Sequence, residues 1–164
     1  MTTISVFKFD TPEGAKGMLD LVQNLQKQQL ITVQDAAIIS WETGKKKPKT
    51  KDLGDMTSAG ALGGAFWGIL FGLIFFVPFF GMAVGAALGA LTGKFSDYGI
   101  DKDFIKSVRD KVTEGTSALC LMTSGAVQDK VADAIKEKGW SFEIISTNLT
   151  KEQEEELRED FGAE

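Results

Sequence analysis

The chain of 164 residues contains no histidine and a single cysteine. Without histidine it has no Ser-His-Asp or Cys-His nucleophilic site, and it lacks the commonest metal ligand. Cys120 has no second cysteine with which to form an internal disulfide, which fits a reducing cytoplasm. It lies inside an apolar run, so core packing is its expected role. The sequence therefore predicts a protein that is not an enzyme and has no catalytic residues, no cofactor and no metal ligands.

Charged side chains are missing from one long stretch. Residues 56–93 contain none, although charged residues make up 25% of the whole chain. The net charge of −5 gives no support to nucleic-acid binding. The acidic run at 152–156 is interpreted as a solvated helix face rather than a cation site. The chain is therefore expected to be one domain of ordinary size with an apolar insertion.

Lysines cluster immediately before the uncharged stretch. Five occur within seven residues: Lys45, Lys46, Lys47, Lys49 and Lys51. Beside an apolar segment, such side chains contact anionic lipid headgroups and keep that flank in the cytoplasm. The same cluster serves equally well as a solubilising linker, and the sequence leaves both interpretations open.

The uncharged stretch contains two series of glycines with a spacing of four residues. The first series is Gly60, Gly64, Gly68 and Gly72, and the second is Gly81, Gly85, Gly89 and Gly93. This spacing places each series on one face of a helix, where the missing side chains let another backbone come close. Because glycine costs about 1 kcal/mol per residue in a water-exposed helix, the sequence predicts two apolar helices that pack along their glycine faces in apolar surroundings.

The joint between these two predicted helices is apolar. It consists of Phe75, Phe76, Val77, Pro78, Phe79 and Phe80. A hairpin that crosses a bilayer twice places its turn in water, and such turns carry polar residues. Each arm, of roughly 17 to 20 residues, has the length to cross the hydrocarbon core. This tip, however, is expected to stay in an apolar phase, either the bilayer interior or the interior of an oligomer.

Strand and helix patterns alternate on both sides of the hairpin. Apolar patterns predict strands at 4–9, 33–41, 117–122 and 140–146, and helical periodicity predicts helices around Leu19 and Val131. Asp101 is expected to cap a further helix. Thr150 with Gln153 forms a capping box for an acidic C-terminal helix. Residues 43–55 are interpreted as a polar linker.

The order of these elements predicts the fold class. Without the hairpin and the helix after it, the order is β-α-β followed by β-α-β, which is the ferredoxin-like split arrangement. Residues 1–42 and 116–147 are expected to form one four-stranded antiparallel sheet backed by the helices around Leu19 and Val131. The expected class is α+β, with a ferredoxin-like domain at 1–52 and 97–164 and an inserted glycine-zipper hairpin at 53–96.

The element order, the double glycine series around the Phe-Val-Pro-Phe-Phe-Gly segment at 76–81, and the Gly-Ile-Asp-Lys-Asp-Phe segment at 99–104 resemble a known family. It is an uncharacterised bacterial family of predicted membrane proteins of unknown function. Its relatives include general-stress-type proteins with a ferredoxin-like domain and a glycine-zipper insertion. The resemblance covers nearly the whole chain. It implies an architecture and offers no catalytic motif.

Three hypotheses about function follow. The favoured one is a non-enzymatic membrane-associated protein at the cytoplasmic face of the bacterial inner membrane, whose hairpin anchors the domain and drives homo-oligomerisation. The alternative is a soluble self-assembling shell or carrier, a cytoplasmic particle whose hairpins line an apolar interior that holds lipid or another hydrophobic cargo. An enzyme or a small-ligand sensor that uses the sheet fits least. The expected partners are other copies of the chain and membrane lipid or another apolar phase, without nucleic acid.

Overall fold

A computed structural model describes residues 1–53, 64–76 and 85–161 of the protein. In these residues, five strands form one antiparallel sheet in the order β3-β2-β4-β1-β5. The strands are β1 (Thr2–Phe9), β2 (Asp35–Ser40), β3 (Lys49–Asp52), β4 (Ser117–Ser124) and β5 (Glu143–Leu149). The prediction of an α+β protein whose flanking parts share one antiparallel sheet is confirmed.

One sequence interpretation is wrong. Residues 43–55 are not only a linker, because Lys49–Asp52 forms the edge strand β3 and pairs with β2. All four residues of β3 are exposed, so the strand carries no alternation of buried and exposed side chains that a sequence pattern would reveal. Its lysines are typical of edge strands, which use charge to discourage pairing with other chains.

Six α-helices accompany the sheet in the described parts of the chain. They are α1 (Gly14–Lys27), α2 (Gly64–Phe71), α3 (Gly85–Asp97), α4 (Lys102–Lys111), α5 (Gly125–Glu137) and α6 (Lys151–Phe161). A π-helical segment, Gly72–Phe76, continues α2. No helix within these described ranges has both the length and the apolar character needed to cross a membrane.

Local capping signals in the sequence are confirmed. The Asp101 side chain accepts a hydrogen bond from the backbone N–H of Phe104 at 2.9 Å, and α4 begins at the next residue. The predicted capping box forms at the start of α6, where Thr150 and Gln153 each donate a backbone N–H to the other's side chain, at 2.8 and 3.1 Å. These caps satisfy donors that the first turn of a helix leaves unpaired.

Both faces of the sheet are covered. On the α1 face, α1 and α5 pack through residues such as Met18 and Val131 on strand residues that include Phe7 and Leu121. The opposite face, here called the arm face, is covered by α2, the π-helical segment, α4 and α6. Successive strand residues point to opposite faces, so a sheet buried on both sides has nearly continuous apolar strands. β4 is of this kind, since seven of its eight residues are buried.

Candidate functional site

The first arm of the predicted hairpin packs on the arm face of the sheet. This docked arm, residues 64–76, has seven buried apolar side chains: Phe66, Trp67, Leu70, Phe71, Leu73, Ile74 and Phe75. They share one core cluster with Ile4, Val6 and Ile39 of the strands. Each large apolar side chain withdrawn from water contributes about 1.5–3 kcal/mol. The docked arm is therefore a structural layer of the domain, and Phe75, predicted at the tip, is a core residue.

The outer face of the arm carries small residues. Ala65 and Gly68 are exposed and Gly72 is half-buried. A Cβ atom built on Gly68 or Gly72 meets no described atom within 4 Å, and the same holds for Gly93 in α3. The described part of the chain thus leaves open space above these glycines. The spacing of three and four residues places Ala65, Gly68 and Gly72 on one side of the helix.

The described contact between the two arms is aromatic. The rings of Phe66 in α2 and Phe95 in α3 stack with centroids 5.7 Å apart and planes 7° from parallel. Phe161 of α6 meets both rings edge-on, at 5.8 and 5.9 Å. Packing of glycine against glycine is not confirmed at Gly68, Gly72 or Gly93.

Several predicted site residues lie at the ends of the described segments or outside them. Gly64 begins α2, while Gly85 and Gly89 lie in α3. Phe76 ends the π-helical segment. The others lie outside the described residues: Gly60, Gly81, Val77, Pro78, Phe79 and Phe80. Their predicted roles in helix packing and at the apolar tip stay predictions.

A buried carboxylate anchors the docked arm. Asp35, at the start of β2, is fully buried, and its Oδ1 accepts hydrogen bonds from the Trp67 indole Nε1 at 3.1 Å and from the Ala36 backbone N–H at 2.9 Å. A buried indole N–H needs an acceptor, and a buried carboxylate needs donors. The pair therefore fixes the position of α2 on the sheet.

Arg109 anchors the other end of the docked arm. Its Nε donates to the carbonyl oxygen of Ile74 at 2.7 Å, and its Nη2 donates to that of Leu73 at 2.8 Å. Carbonyls near a helix end lack partners inside the helix. The guanidinium of α4 supplies two donors in one rigid fork, so it satisfies both carbonyls and joins the arm to the folded domain.

The C-terminal helix closes over the base of α3. Lys94 forms ion pairs with Glu156 and Asp160 at 3.1 and 3.3 Å, and the Tyr98 hydroxyl donates to Asp160. Burial, together with the hydrogen bond to Asp160, raises the pKa of Tyr98. The hydrogen bond from Tyr98 in turn lowers the pKa of Asp160. These contacts hold Phe161 against the aromatic rings of both arms.

Two lysines of the cluster lie in the edge strand β3, and the other three lie in the loop before it. The five members of the cluster, Lys45, Lys46, Lys47, Lys49 and Lys51, are all exposed. In the strand register, Lys51 pairs with Ile38 and Lys49 pairs with Ser40. Directly paired side chains lie on the same face of a sheet, and Ile38 is half-buried and packs against the core of the α1 face. The side chains of Lys49 and Lys51 thus lie on the face opposite the docked arm.

Within the described residues, no group of three or more cysteine, aspartate and glutamate side chains has the arrangement of a metal site. Cys120 is 1% exposed in β4, and burial raises the pKa of its thiol. A raised pKa keeps the thiol protonated and unreactive. Its place in the core agrees with the role expected from the sequence.

Sequence reasoning missed the two polar anchors of the arm. Asp35 and Arg109 are far apart in the sequence from Trp67 and Leu73, the residues that they hold. One signal was present, because a tryptophan inside an uncharged helix carries an N–H that requires a polar partner when buried. A lone aspartate at the head of the apolar run at 35–39 was the available acceptor.

The comparisons with known proteins give one family. The sequence profile described as "Protein of unknown function (DUF1269)" matches residues 61–162. The matched range contains the docked arm, α3, α4, β4, α5, β5 and α6. No curated protein and no solved structure matches the chain. Because the match covers more than half of the 164 residues, the chain belongs to the DUF1269 family of proteins of unknown function.

Proposed function

We propose that the protein is a non-enzymatic homo-oligomer in which the outer face of the docked arm packs against other copies of the chain. The observation that carries this proposal is the distribution of side chains on the docked arm. Its large side chains face the sheet, and Ala65, Gly68 and Gly72 face outward with no described atom above the two glycines. A helix face that stays in water ordinarily carries polar side chains.

The two outward glycines destabilise the helix of the single chain. Relative to alanine, each glycine in a helix costs about 1 kcal/mol, and no described contact of the chain uses the missing Cβ of Gly68 or Gly72. A second helix that packs on this face gives the glycines a function, because the backbones then approach closely. Association through the glycine series supplies contacts that offset the cost in the single chain.

The sheet provides the platform for this assembly. Without β3, the strand order is β2-β4-β1-β5, and the chain runs β1-α1-β2 and then β4-α5-β5. This order supports the proposal that the sheet is a ferredoxin-like domain into which the hairpin is inserted. The insertion lies between β3 and β4, so it returns to the sheet and covers its arm face.

A membrane-associated form is the second candidate. It is favoured by the uncharged stretch 56–93 and by the exposed lysines at 45–51, which suit anionic headgroups. In this form the protein lies at the cytoplasmic face of the bacterial inner membrane.

The large side chains of the docked arm are already buried against the sheet, which favours other copies of the chain over lipid as the apolar surroundings of its outer face. The corresponding form is a soluble particle whose interior holds lipid or another hydrophobic cargo.

The mass of protein purified without detergent tests the proposal. We expect a defined oligomer by light scattering coupled to gel filtration. Gly68→Leu should break it into smaller species, because the leucine occupies the space that another helix needs, while the open space above Gly68 lets the single chain keep its fold. Ala126→Leu is the matched control, since Ala126 is an exposed small residue in α5.

A monomeric wild-type protein, or an oligomer whose mass is the same in Gly68→Leu, would overturn the proposal. Cell fractionation separates the two candidate forms. Protein that remains with membranes after high-salt and carbonate washing supports the membrane-associated form, whereas recovery as a large particle without detergent supports the soluble assembly.

A further inference from the structure

A cavity of about 440 Å3 lies on the side of the domain where β1 leads into α1. Its walls include Phe9, Asp10 and Thr11 from the end of β1, Gly14 and Gly17 from α1, and Trp140 from the segment between α5 and β5. Ligand pockets in proteins have volumes of about 300–1,000 Å3, so the cavity has the size of a small-molecule site. It is formed by other residues than the docked arm.

Trp140 supplies an exposed aromatic ring to the wall of this cavity. Its side chain is 40% exposed, while the other two tryptophans bury or pair their polar end: the Trp41 N–H donates to the carbonyl of Lys45 at 2.9 Å, and the Trp67 N–H donates to Asp35 at 3.1 Å. An exposed tryptophan ring that lines a cavity is a ready surface for a flat ligand.

The two glycines of α1 that line the cavity differ in the space that the chain leaves for a Cβ atom. A Cβ atom at Gly14 would lie 2.5 Å from the Cβ of Phe9, so the chain's own packing requires glycine there. A Cβ atom at Gly17 would meet only Cη2 of Trp140, at 3.8 Å, which is ordinary contact. Glycine at position 17 therefore costs the helix about 1 kcal/mol relative to alanine without a steric reason within the chain. It does keep the cavity open beside the Trp140 ring.

The charged side chain in the lining of the cavity is acidic. Asp10 lines it, and the Lys8 ammonium is shared between Asp10 at 2.8 Å and Glu143 at 3.5 Å. One positive charge thus faces two carboxylates, so this group of three side chains carries a net charge of −1 beside the cavity. A cationic ligand is favoured by this field, and an anionic ligand is disfavoured.

The start of α1 does not offset this preference. The first backbone N–H groups of the helix already have acceptors, since Gly14 donates to Thr11, Ala15 donates to the Ser117 hydroxyl at 2.9 Å, and Gly17 donates to Glu13. An anion at this helix start would find these donors occupied. The helix terminus therefore gives no reason to expect phosphate or carboxylate here.

We infer that this cavity binds a small cationic aromatic ligand, with its ring against Trp140 above Gly17 and its ammonium group toward Asp10. The ring gains contact with the tryptophan face, and the cation gains from the adjacent indole as well as from the carboxylate. Binding here requires no part of the proposed oligomer interface, so its success or failure is independent of that proposal.

Three probes that share one ring and differ in charge test this assignment. They are tryptamine, indole and indole-3-acetate, titrated at millimolar concentrations into 15N-labelled full-length protein. We expect tryptamine to shift the Trp140 indole N–H signal and the Gly17 amide signal, with weaker shifts from indole and the weakest from indole-3-acetate. Asp10→Asn should weaken tryptamine binding about fivefold, as expected for two charges about 4 Å apart in water.

Variants of the cavity complete the test. Gly17→Ala should keep the fold and weaken tryptamine binding by about tenfold, because the new methyl group occupies the floor beside Trp140. Trp140→Leu should have a similar effect, whereas Asp129→Asn, at an exposed acid in α5, should leave binding unchanged. The assignment is overturned if no probe shifts the Trp140 signal, if the three probes act alike, or if Gly17→Ala binds tryptamine as the wild type does.

Discussion

Arg109 is the side chain whose removal tests how firmly the docked arm is held on the sheet. Its two donated hydrogen bonds reach the carbonyl oxygens of Ile74 and Leu73, and both of those residues are at most 4% exposed. Arg109→Met keeps a long apolar stem and removes both donors. The substitution therefore isolates the polar anchor from the packing of the side chain.

The expected loss of stability in Arg109→Met follows from the number of hydrogen bonds removed and from their surroundings. A hydrogen bond from a charged group contributes about 1.5–3 kcal/mol net, so two such bonds sum to about 3–6 kcal/mol. Arg109 is only half-buried, and water that reaches the vacated place hydrates the carbonyls in part. We therefore expect the free energy of unfolding to fall by about 2–4 kcal/mol.

Urea unfolding followed by circular dichroism measures this loss. Lys106→Met is the matched control, because Lys106 is exposed on the same helix and forms a surface pair with Asp110 at 2.8 Å, a kind of pair that contributes less than about 1 kcal/mol. The loss of unfolding free energy for Arg109→Lys should lie between the losses for Arg109→Met and Lys106→Met, since an ammonium does not reproduce the guanidinium fork. If Arg109→Met costs no more than Lys106→Met, the two hydrogen bonds do not hold the arm.

Three further predictions use the same unfolding measurement. Trp67→Phe removes the donor to buried Asp35 and should cost about 1–3 kcal/mol; an unchanged urea midpoint would refute the anchor. Gly99→Ala should cost at least about 1 kcal/mol more than Gly44→Ala, because both glycines have a positive φ but only at position 99 does a Cβ meet a side-chain oxygen, at 2.9 Å; equal losses would contradict this. Phe161→Ala should cost about 1–3 kcal/mol by uncovering the rings of both arms, and a smaller loss would show that α6 does not stabilise them.

Local features of this fold were predictable from the sequence. The cap at Asp101 and the capping box of Thr150 and Gln153 depend on residues three positions apart, so their geometry is fixed by the start of one helix. Four of the five strands and their shared sheet also follow from apolar patterns, although the last strand begins at Glu143 and not, as predicted, at residue 140. β3 was missed because its four residues are exposed and it forms only by pairing with β2.

The docking of the arm was not predictable from its own composition. An uncharged run requires an apolar phase, and the sequence of residues 56–93 does not say whether lipid, another copy or the same chain supplies it. The missing information lay in β4, where both faces are apolar from Ala118 to Met122. A strand buried on both sides needs a layer on each face, and on the arm face the docked arm supplies that layer together with α4 and α6. The two anchors, Asp35 and Arg109, act over a distance that no local pattern encodes.

The position of β4 in the middle of the sheet has a consequence during synthesis. β1 and β2 do not touch each other, because β4 lies between them. When the ribosome has made the arm, the surface on which it packs does not yet exist, because 40 residues separate residue 76 from the start of β4 at Ser117. At a translation rate of about 5–20 residues per second, this interval lasts roughly 2–8 seconds. During this interval the phenylalanine and tryptophan side chains of the arm have no sheet on which to pack, so they are open to contact with a chaperone, a bilayer surface or a neighbouring nascent chain.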